Sequence, residues 1–161
     1  MRRRRNGDGD RSVAALDASD KALIELLQRD GRMPYTRLAT AVQLSEAAVR
    51  QRVQRLMDEN VVQIVAVTDP LRLGFRRQAM IGIRTEGDIT IVADALASIP
   101  EIDYVVYTAG SFDLLAEMVC EDDEHLLELL NEKIRRLSGV ISTETFMYLR
   151  LHKQTYAWGV R

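Results

Sequence analysis

Ser45-Glu46-Ala47-Ala48-Val49-Arg50-Gln51-Arg52-Val53-Gln54-Arg55-Leu56-Met57 is the stretch from which the fold of this chain can be worked out. Val49, Val53 and Leu56 stand at i, i+4 and i+7, which is one stripe of an α-helix, and Ser45 is a good N-cap for a helix running to about Glu59. Burying that stripe turns Ala47, Arg50, Gln51 and Gln54 to the opposite face and sets Arg52 and Arg55 on its flanks. Arginine can donate a bidentate pair to guanine O6 and N7, and glutamine can do the same at adenine. Ser45 and the free N–H groups of the first turn suit a phosphate. Taken alone, the same face also fits an ordinary solvated helix, because Arg and Gln are common exposed helix formers.

The residues upstream weigh on that choice. Asp17 caps a first helix whose inner stripe is Leu23, Leu26 and Leu27, with Asp20 near the positive end of its dipole and Asp30-Gly31 as its stop. A second short helix fits Tyr35 to Val42, entered through Pro34, with Leu38, Ala39 and Val42 inward. Only Gln43-Leu44 separates it from Ser45, and this tight spacing is that of a helix-turn-helix whose last helix enters a groove of DNA.

Downstream, Asn60 can end the third helix in the left-handed conformation, and Val61 to Val67 reads as a hinge strand closed by Asp69-Pro70. The period then changes. Strand Phe75 to Arg84, helix Asp88 to Ile99, strand Ile102 to Thr108, turn Ala109 to Ser111, strand Phe112 to Cys120, helix Asp123 to Leu137 and strand Val140 to Leu151 follow in order. This β-α-β-β-α-β sequence predicts an α+β, ferredoxin-like split βαβ domain with both helices on one face of an antiparallel sheet. The other face carries alternate members of Tyr104-Val105-Val106-Tyr107 and Phe146-Met147-Tyr148-Leu149, so a partner has to cover it. A two-fold dimer is the economical answer.

Composition bounds the function. The chain has 161 residues, 47% apolar and 29% charged, the make-up of a globular protein of one ordinary domain or two small ones. No charge-free run exceeds nine residues, which excludes a membrane-spanning helix. Arg2 to Arg5 imitate the basic start of a signal peptide, but Asn6-Gly7-Asp8-Gly9-Asp10 stands where its apolar segment would be. One cysteine, Cys120, forms no internal disulfide, and a cytoplasmic location is expected. The net charge of −2 alone argues against a nucleic-acid binder, yet it is unevenly spread. Residues 1–16 carry five Arg against two Asp, residues 17–70 seven basic against eight acidic, and residues 71–161 ten against fourteen. Ser45 to Met57 holds three arginines against Glu46, so a local basic face survives the negative total. Residues 1–15 read as a flexible basic arm, either a solvated tail or an added nonspecific attraction for phosphate.

Constellations for catalysis and metal binding are weak. His125 and His152 are the only histidines and neither lies in a nucleophile motif, so no catalytic residue is assigned and the chain is not read as an enzyme. Glu121-Asp122-Asp123-Glu124-His125 offers metal-ligand types, but acids opening a helix explain it better, and no metal is expected. Cys120, Met80, Met118 and Met147 read as packing residues, and no Gly-rich phosphate loop is present, so no cofactor is expected. Tyr156 and Trp158 either anchor the C-terminal segment on a neighbouring subunit or pack locally.

Several motifs occur together: Leu16-Asp17-x-x-Asp20, Asp30-Gly31-Arg32, Leu38-Ala39, Leu44-Ser45-x-x-x-Val49-x-x-Arg52-Val53-x-Arg55-Leu56, Gly110-x-x-Asp113, Leu137-x-Gly139-Val140 and Thr143-x-Thr145. Spanning Leu16 to Lys153, this set resembles the Lrp/AsnC (feast/famine) family of bacterial and archaeal transcription regulators. The resemblance implies a winged helix-turn-helix domain, a hinge strand and a C-terminal ferredoxin-like, ACT-like domain for regulation by amino acids (a RAM domain). It divides the chain into 1–15 (arm), 16–60 (DNA-binding domain), 61–74 (hinge strand and linker), 75–152 (effector-binding and oligomerisation domain) and 153–161 (tail). It implies a regulator that binds double-stranded DNA as a dimer, often assembled into octamers, with a non-covalent amino-acid effector held between dimers near the Gly110 turn.

Carried over position by position, Ser45, Ala47, Arg50, Gln51, Gln54 and Arg55 fall on the family's DNA-facing positions, with Arg52 or Arg55 setting register on phosphates. Gly110 and Asp113 fall at the effector turn, where Asp113 either meets an α-ammonium group or holds the turn. Thr108, Ser111 and Thr143 are expected to line the same region. Gln43 and Asn60 stand where the family often has glycine; Asn tolerates a left-handed backbone, whereas Gln43 would be strained there by roughly 1–2 kcal/mol. Two rival functions remain in view: an architectural protein that wraps DNA with little sequence preference, and a metabolite-sensing module without DNA activity.

Overall fold

The computed structural model describes residues 16–160. The basic arm expected over residues 1–15 lies outside them. The chain forms two compact units, one containing residues up to Ala66 together with the tail from Gln154, the other Val67–Lys153.

The first unit is trihelical: α1 Ala18–Arg29, α2 Tyr35–Val42 and α3 Glu46–Asp58. Asp17 and Asp20 form a reciprocal capping box at the start of α1, the Asp17 carboxylate accepting from the Asp20 N–H at 2.8 Å and the Asp20 carboxylate from the Asp17 N–H at 3.3 Å. Ser45 caps α3 by accepting from the Ala48 N–H at 3.2 Å. Leu23, Leu27, Leu38, Ala39, Val49 and Val53 make the core. Between α2 and α3 the chain turns on Gln43 at φ 56°, and it leaves α3 through Asn60 at φ 57°. Both positions therefore adopt the left-handed backbone, so Gln43 carries the strain that a glycine would relieve.

The segment after α3 departs from expectation. Among the described residues Val61 to Val67 pairs with no strand of this chain, and an extended run acquires strand character only through such a ladder. Val61, Ile64, Val65 and Val67 are left exposed.

The second unit opens with a 3-10 turn, Pro70–Leu73, capped by Asp69 and closed by Gly74 at φ 103°. Its sheet comprises β1 Arg77–Thr85, β2 Ile102–Tyr107, β3 Leu114–Cys120 and β4 Val140–Met147, in the order β2-β3-β1-β4 with every pairing antiparallel. Helices α4 Ile89–Ala97 and α5 Asp123–Glu128 complete the expected β-α-β-β-α-β order. Ala79, Ile81 and Ile83 of β1 alternate with Leu114, Ala116, Met118 and Cys120 of β3 to floor a core that Val92, Leu96, Leu129 and Ile134 roof. Met80, Leu115, Val106, Tyr104 and Phe146 share the opposite face by register. That face is not wholly apolar, because Gln78 donates to the Glu117 carboxylate at 2.8 Å. Beside them, burial and the Glu117 charge push the Tyr148 hydroxyl up to about 12.

Two boundaries differ from the sequence reading by more than two residues. The last helix does not continue regularly to Leu137: from Leu129 to Ile134 it widens into a π-helical turn. The wider turn brings Leu129 and Ile134, five residues apart, to one side, and both, with Leu130, enter the core. Strand β4 stops at Met147 rather than Leu151, since Met147 faces Ala79 and β1 extends only two residues further, to Arg77. The Tyr148 N–H makes a last bond to the Gln78 carbonyl, and residues 149–160 lie in neither helix nor strand.

Candidate nucleic-acid interface

Helix α3 is fixed from two sides. Val49, Val53 and Leu56 are fully buried beneath it. Along its flank, Arg52 donates through Nη1 to Asp17 Oδ2 at 2.6 Å and Asp20 Oδ1 at 2.8 Å, and Arg55 through Nη2 to Asp20 Oδ2 at 2.6 Å. Asp20 is 1% exposed, so both oxygens of a buried carboxylate are met by guanidinium groups of the helix facing it. The Asp20 backbone N–H, followed by Arg52, holds the Asp17 carboxyl below its usual range. The same two aspartates thus cap α1 and tether α3.

This geometry divides the predicted interface residues. Ser45, Ala47, Arg50, Gln51, Gln54 and Arg55 are exposed. Arg52 is engaged with two carboxylates and only 28% of its side chain is exposed, which makes it a scaffold residue first and a phosphate contact at most second. Arg55 pairs with Asp20 yet keeps 46% of its side chain exposed. Arg50 is the most open of the three at 63%, with an i,i+4 bond to Glu46 at 3.0 Å and its guanidinium 4.8 Å from the centre of the Tyr35 ring. Gln54 donates to Asp58 at 3.1 Å. Gln51 has no hydrogen-bond partner among the described residues and borders, with Arg52 and Arg55, a surface pocket of about 340 Å³. The tether by Asp17 and Asp20 was not foreseen, because a pairing across 32 to 35 residues leaves no local mark in the sequence.

The positions predicted for an effector fall at one end of the second unit. Ile83 pairs with Leu114 on one side and Thr143 on the other, which brings the loop before β3 and the start of β4 to the same end of the sheet. Asp113 accepts through Oδ2 from the Thr85 N–H at 2.7 Å and the Thr85 hydroxyl at 3.3 Å, so its carboxylate holds the turn to β1. Thr108 closes the loop, its N–H donating to the Asp113 carbonyl and its hydroxyl to the Phe112 carbonyl at 2.6 Å. Arg84 binds the Ser111 carbonyl at 2.9 Å, and Thr143 accepts from Arg135 at 3.0 Å. Gly110 and Ser111 are exposed, and a Cβ built at Gly110 would meet nothing within 4 Å. Phe112 lies over Gly82, where a Cβ would come within 2.8 Å of the ring, and meets Phe146 edge-on at 5.9 Å.

The acidic run is accounted for by its helix and by β1. Asp122 caps α5 by accepting from the His125 N–H at 2.9 Å, and Asp123 forms a bidentate pair with Arg77. Among the described residues no group of three His, Cys, Asp or Glu is arranged to hold a metal ion, and no helix is long and apolar enough to cross a membrane.

Comparison with known proteins agrees with this architecture. Residues 16–57 match the AsnC-type helix-turn-helix domain, and residues 75–161 match an AsnC-type C-terminal dimeric alpha+beta barrel domain. An HTH-type transcriptional regulator of Pyrococcus abyssi is 33% identical over 144 residues, covering 88% of this chain and 91% of that protein. The leucine response regulatory protein LrpA of Mycobacterium tuberculosis superposes with a TM-score of 0.78 at 28% identity, over 86% of this chain and 96% of its own. A transcriptional regulator of Neisseria meningitidis, solved as a complex with L-Met, shares the fold with a TM-score of 0.76 at 23% identity, over 87% of this chain and 94% of its own. With both halves matched in order, and nearly nine-tenths of the chain aligned to a regulator at one-third identity, the chain belongs to the Lrp/AsnC family of helix-turn-helix transcription regulators, which are not enzymes.

Proposed function

We propose that this regulator reads a DNA sequence through the outer face of α3, with Arg50 and Gln51 contacting bases and Arg55 and the α3 N-terminus at Ser45 contacting phosphates. One observation carries the reading: α3 presents Ala47, Arg50, Gln51 and Gln54 outward while buried valines, a leucine and the Asp20 tether fix its pose. A base-reading side chain discriminates only if its helix is held, since mobility would average the contact away. In a two-fold dimer the two α3 helices would be about 34 Å apart, one turn of DNA, and the site would be an inverted repeat.

Gel-shift titrations test the assignment residue by residue. If Arg50 reads guanine, Arg50→Ala weakens binding to the preferred site by about 1–3 kcal/mol and relaxes one base position. Equal loss on every sequence would move Arg50 to the backbone class. Broad, strongly salt-dependent binding by the unaltered protein, with no preferred sequence, would favour the architectural rival.

A second site supports regulation by a small molecule. Gly110 sits in an exposed loop with free space around it, and the Neisseria relative binds L-Met. We infer that an amino acid or related metabolite docks against the Gly110 backbone between dimers, while Asp113, already committed to Thr85, shapes the loop rather than meeting the ligand. Such a ligand alters DNA binding only by preferring one assembly over another. Light scattering with each of the twenty amino acids, paired with DNA titrations, tests this; no change with any of them overturns an amino-acid effector.

A further inference from the structure

Beyond the reading helix and the Gly110 loop, the second unit has a cavity of about 330 Å³ at the Ile102 end of its sheet, lined by Pro70, Leu73, Phe75, Glu101, Asp103 and Val119 among others. Its walls are apolar and its only charged groups are the two carboxylates. Glu101 is half-satisfied. Lys133 binds its Oε1 at 3.0 Å and His125 Nε2 lies 3.6 Å from the same atom, whereas Oε2 is buried without a donor. Burial raises the Glu101 carboxyl, but the Lys133 hydrogen bond, its own backbone N–H and the Lys133 and His125 charges outweigh that and hold it lowered. Because Oε2 is closed to solvent, the carboxylate that the cavity offers to an incoming cation is the exposed one of Asp103.

The same chain has a segment of complementary chemistry. Leu149-Arg150-Leu151-His152-Lys153 follows β4, with Leu149 96% exposed and Leu151 53% exposed. In an extended run Leu149, Leu151 and Lys153 share one side. Two apolar side chains and an ammonium group are thus spaced to meet apolar walls and a carboxylate.

Sheet geometry brings the two together between copies. Met147, Ala79, Met118 and Ile102 form one row across the sheet, so the end of β4 and the start of β2 lie at the same end, on opposite edges. When two such sheets pack face to face about a two-fold axis along the strands, ends stay together and edges exchange. The end of β4 in one copy then lies over the start of β2 in the other, beside Glu101. We propose that residues 149–153 of each protomer dock into this cavity of its partner, Leu149 and Leu151 against Leu73, Phe75 and Val119, and Lys153 beside the exposed carboxylate of Asp103. The proposal rests on the dimeric barrel that the family match describes.

Disulfide trapping in the full chain tests it, with Asp103→Cys on the cavity rim and Lys153→Cys on the segment. Cys120 stays in place, being 1% exposed, with burial, then Glu101 and Asp122, pushing its thiol up to about 11. Under mild oxidation the double variant should form a covalent dimer at least about tenfold faster than either single variant. A dimer by light scattering that gives no faster crosslinking, or gives a disulfide within one chain, overturns the docking and leaves the dimer standing. A monomer by light scattering overturns both.

Discussion

Both carboxylate oxygens of Asp20 are held by arginines of the reading helix, Arg52 at 2.8 Å and Arg55 at 2.6 Å, although Asp20 belongs to the first helix and caps it. One buried side chain thereby connects the start of α1 to α3, whose outer face carries the residues proposed to contact DNA. Asp20→Asn keeps the volume but removes the charge that two guanidinium groups face. A loss of about 1–3 kcal/mol is expected, at the low end of a broken buried pair because both arginines remain partly solvated. Urea denaturation measures it, and a change under about 0.3 kcal/mol would show that the tether contributes nothing.

The carboxylates also set an acid limit. Asp17, held low by the Asp20 N–H and then Arg52, and Asp123, held low by Arg77, are both more acidic folded than unfolded. A depressed carboxyl contributes stability that is complete above its unfolded value and is lost as pH falls through the folded one. Thermal stability should therefore change little between pH 7 and 5 on account of these groups and fall below about pH 4. In Asp17→Asn with Asp123→Asn, the decline below pH 4 should be shallower; an unchanged slope contradicts the assignment.

If Arg50 contacts DNA as proposed, Glu46 competes for it. Their i,i+4 pair is exposed and of the kind that contributes a few tenths of a kcal/mol, so releasing it frees a guanidinium at little structural cost. Glu46→Gln should raise DNA affinity by about two- to fivefold, since it also removes a negative charge from the helix end nearest phosphate. Weaker binding would mean that Glu46 positions Arg50 for its contact.

Gln43 at φ 56° is a strained link between α2 and α3. Gln43→Gly should stabilise the protein by about 0.5–1 kcal/mol, the relief of left-handed strain exceeding the entropy that glycine adds to the unfolded chain. Asn60→Gly, at φ 57°, should gain less, because asparagine tolerates that region. Calorimetry of the two variants side by side distinguishes them; equal gains would contradict this account of the turn.

The helices and the βαββαβ order could be read from local signals: Asp17, Ser45 and Asp88 as caps, the Val49-Val53-Leu56 stripe, and the alternation of Ala79-Ile81-Ile83. What escaped the sequence depends on distant neighbours. Val61 to Val67 has strand composition, but a strand also needs a bonding neighbour. Met147 ends β4 because β1 runs out, which no property of Tyr148 or Leu149 reveals. On α3, facing directions followed from periodicity, so the exposure of Arg50, Gln51 and Gln54 was legible. The commitment of Arg52 to Asp17 and Asp20 was not, and neither was that of Asp113 to Thr85, since each requires a fold to bring its partner near.

Selection of bound duplexes from a random pool, at low and at physiological salt, bears most directly on whether α3 reads sequence. Enrichment of one inverted repeat with half-sites about 10 base pairs apart, broadened at a single symmetric position by Arg50→Ala, is the predicted result. Recovery of no DNA at low salt, or of an unenriched pool, would contradict it.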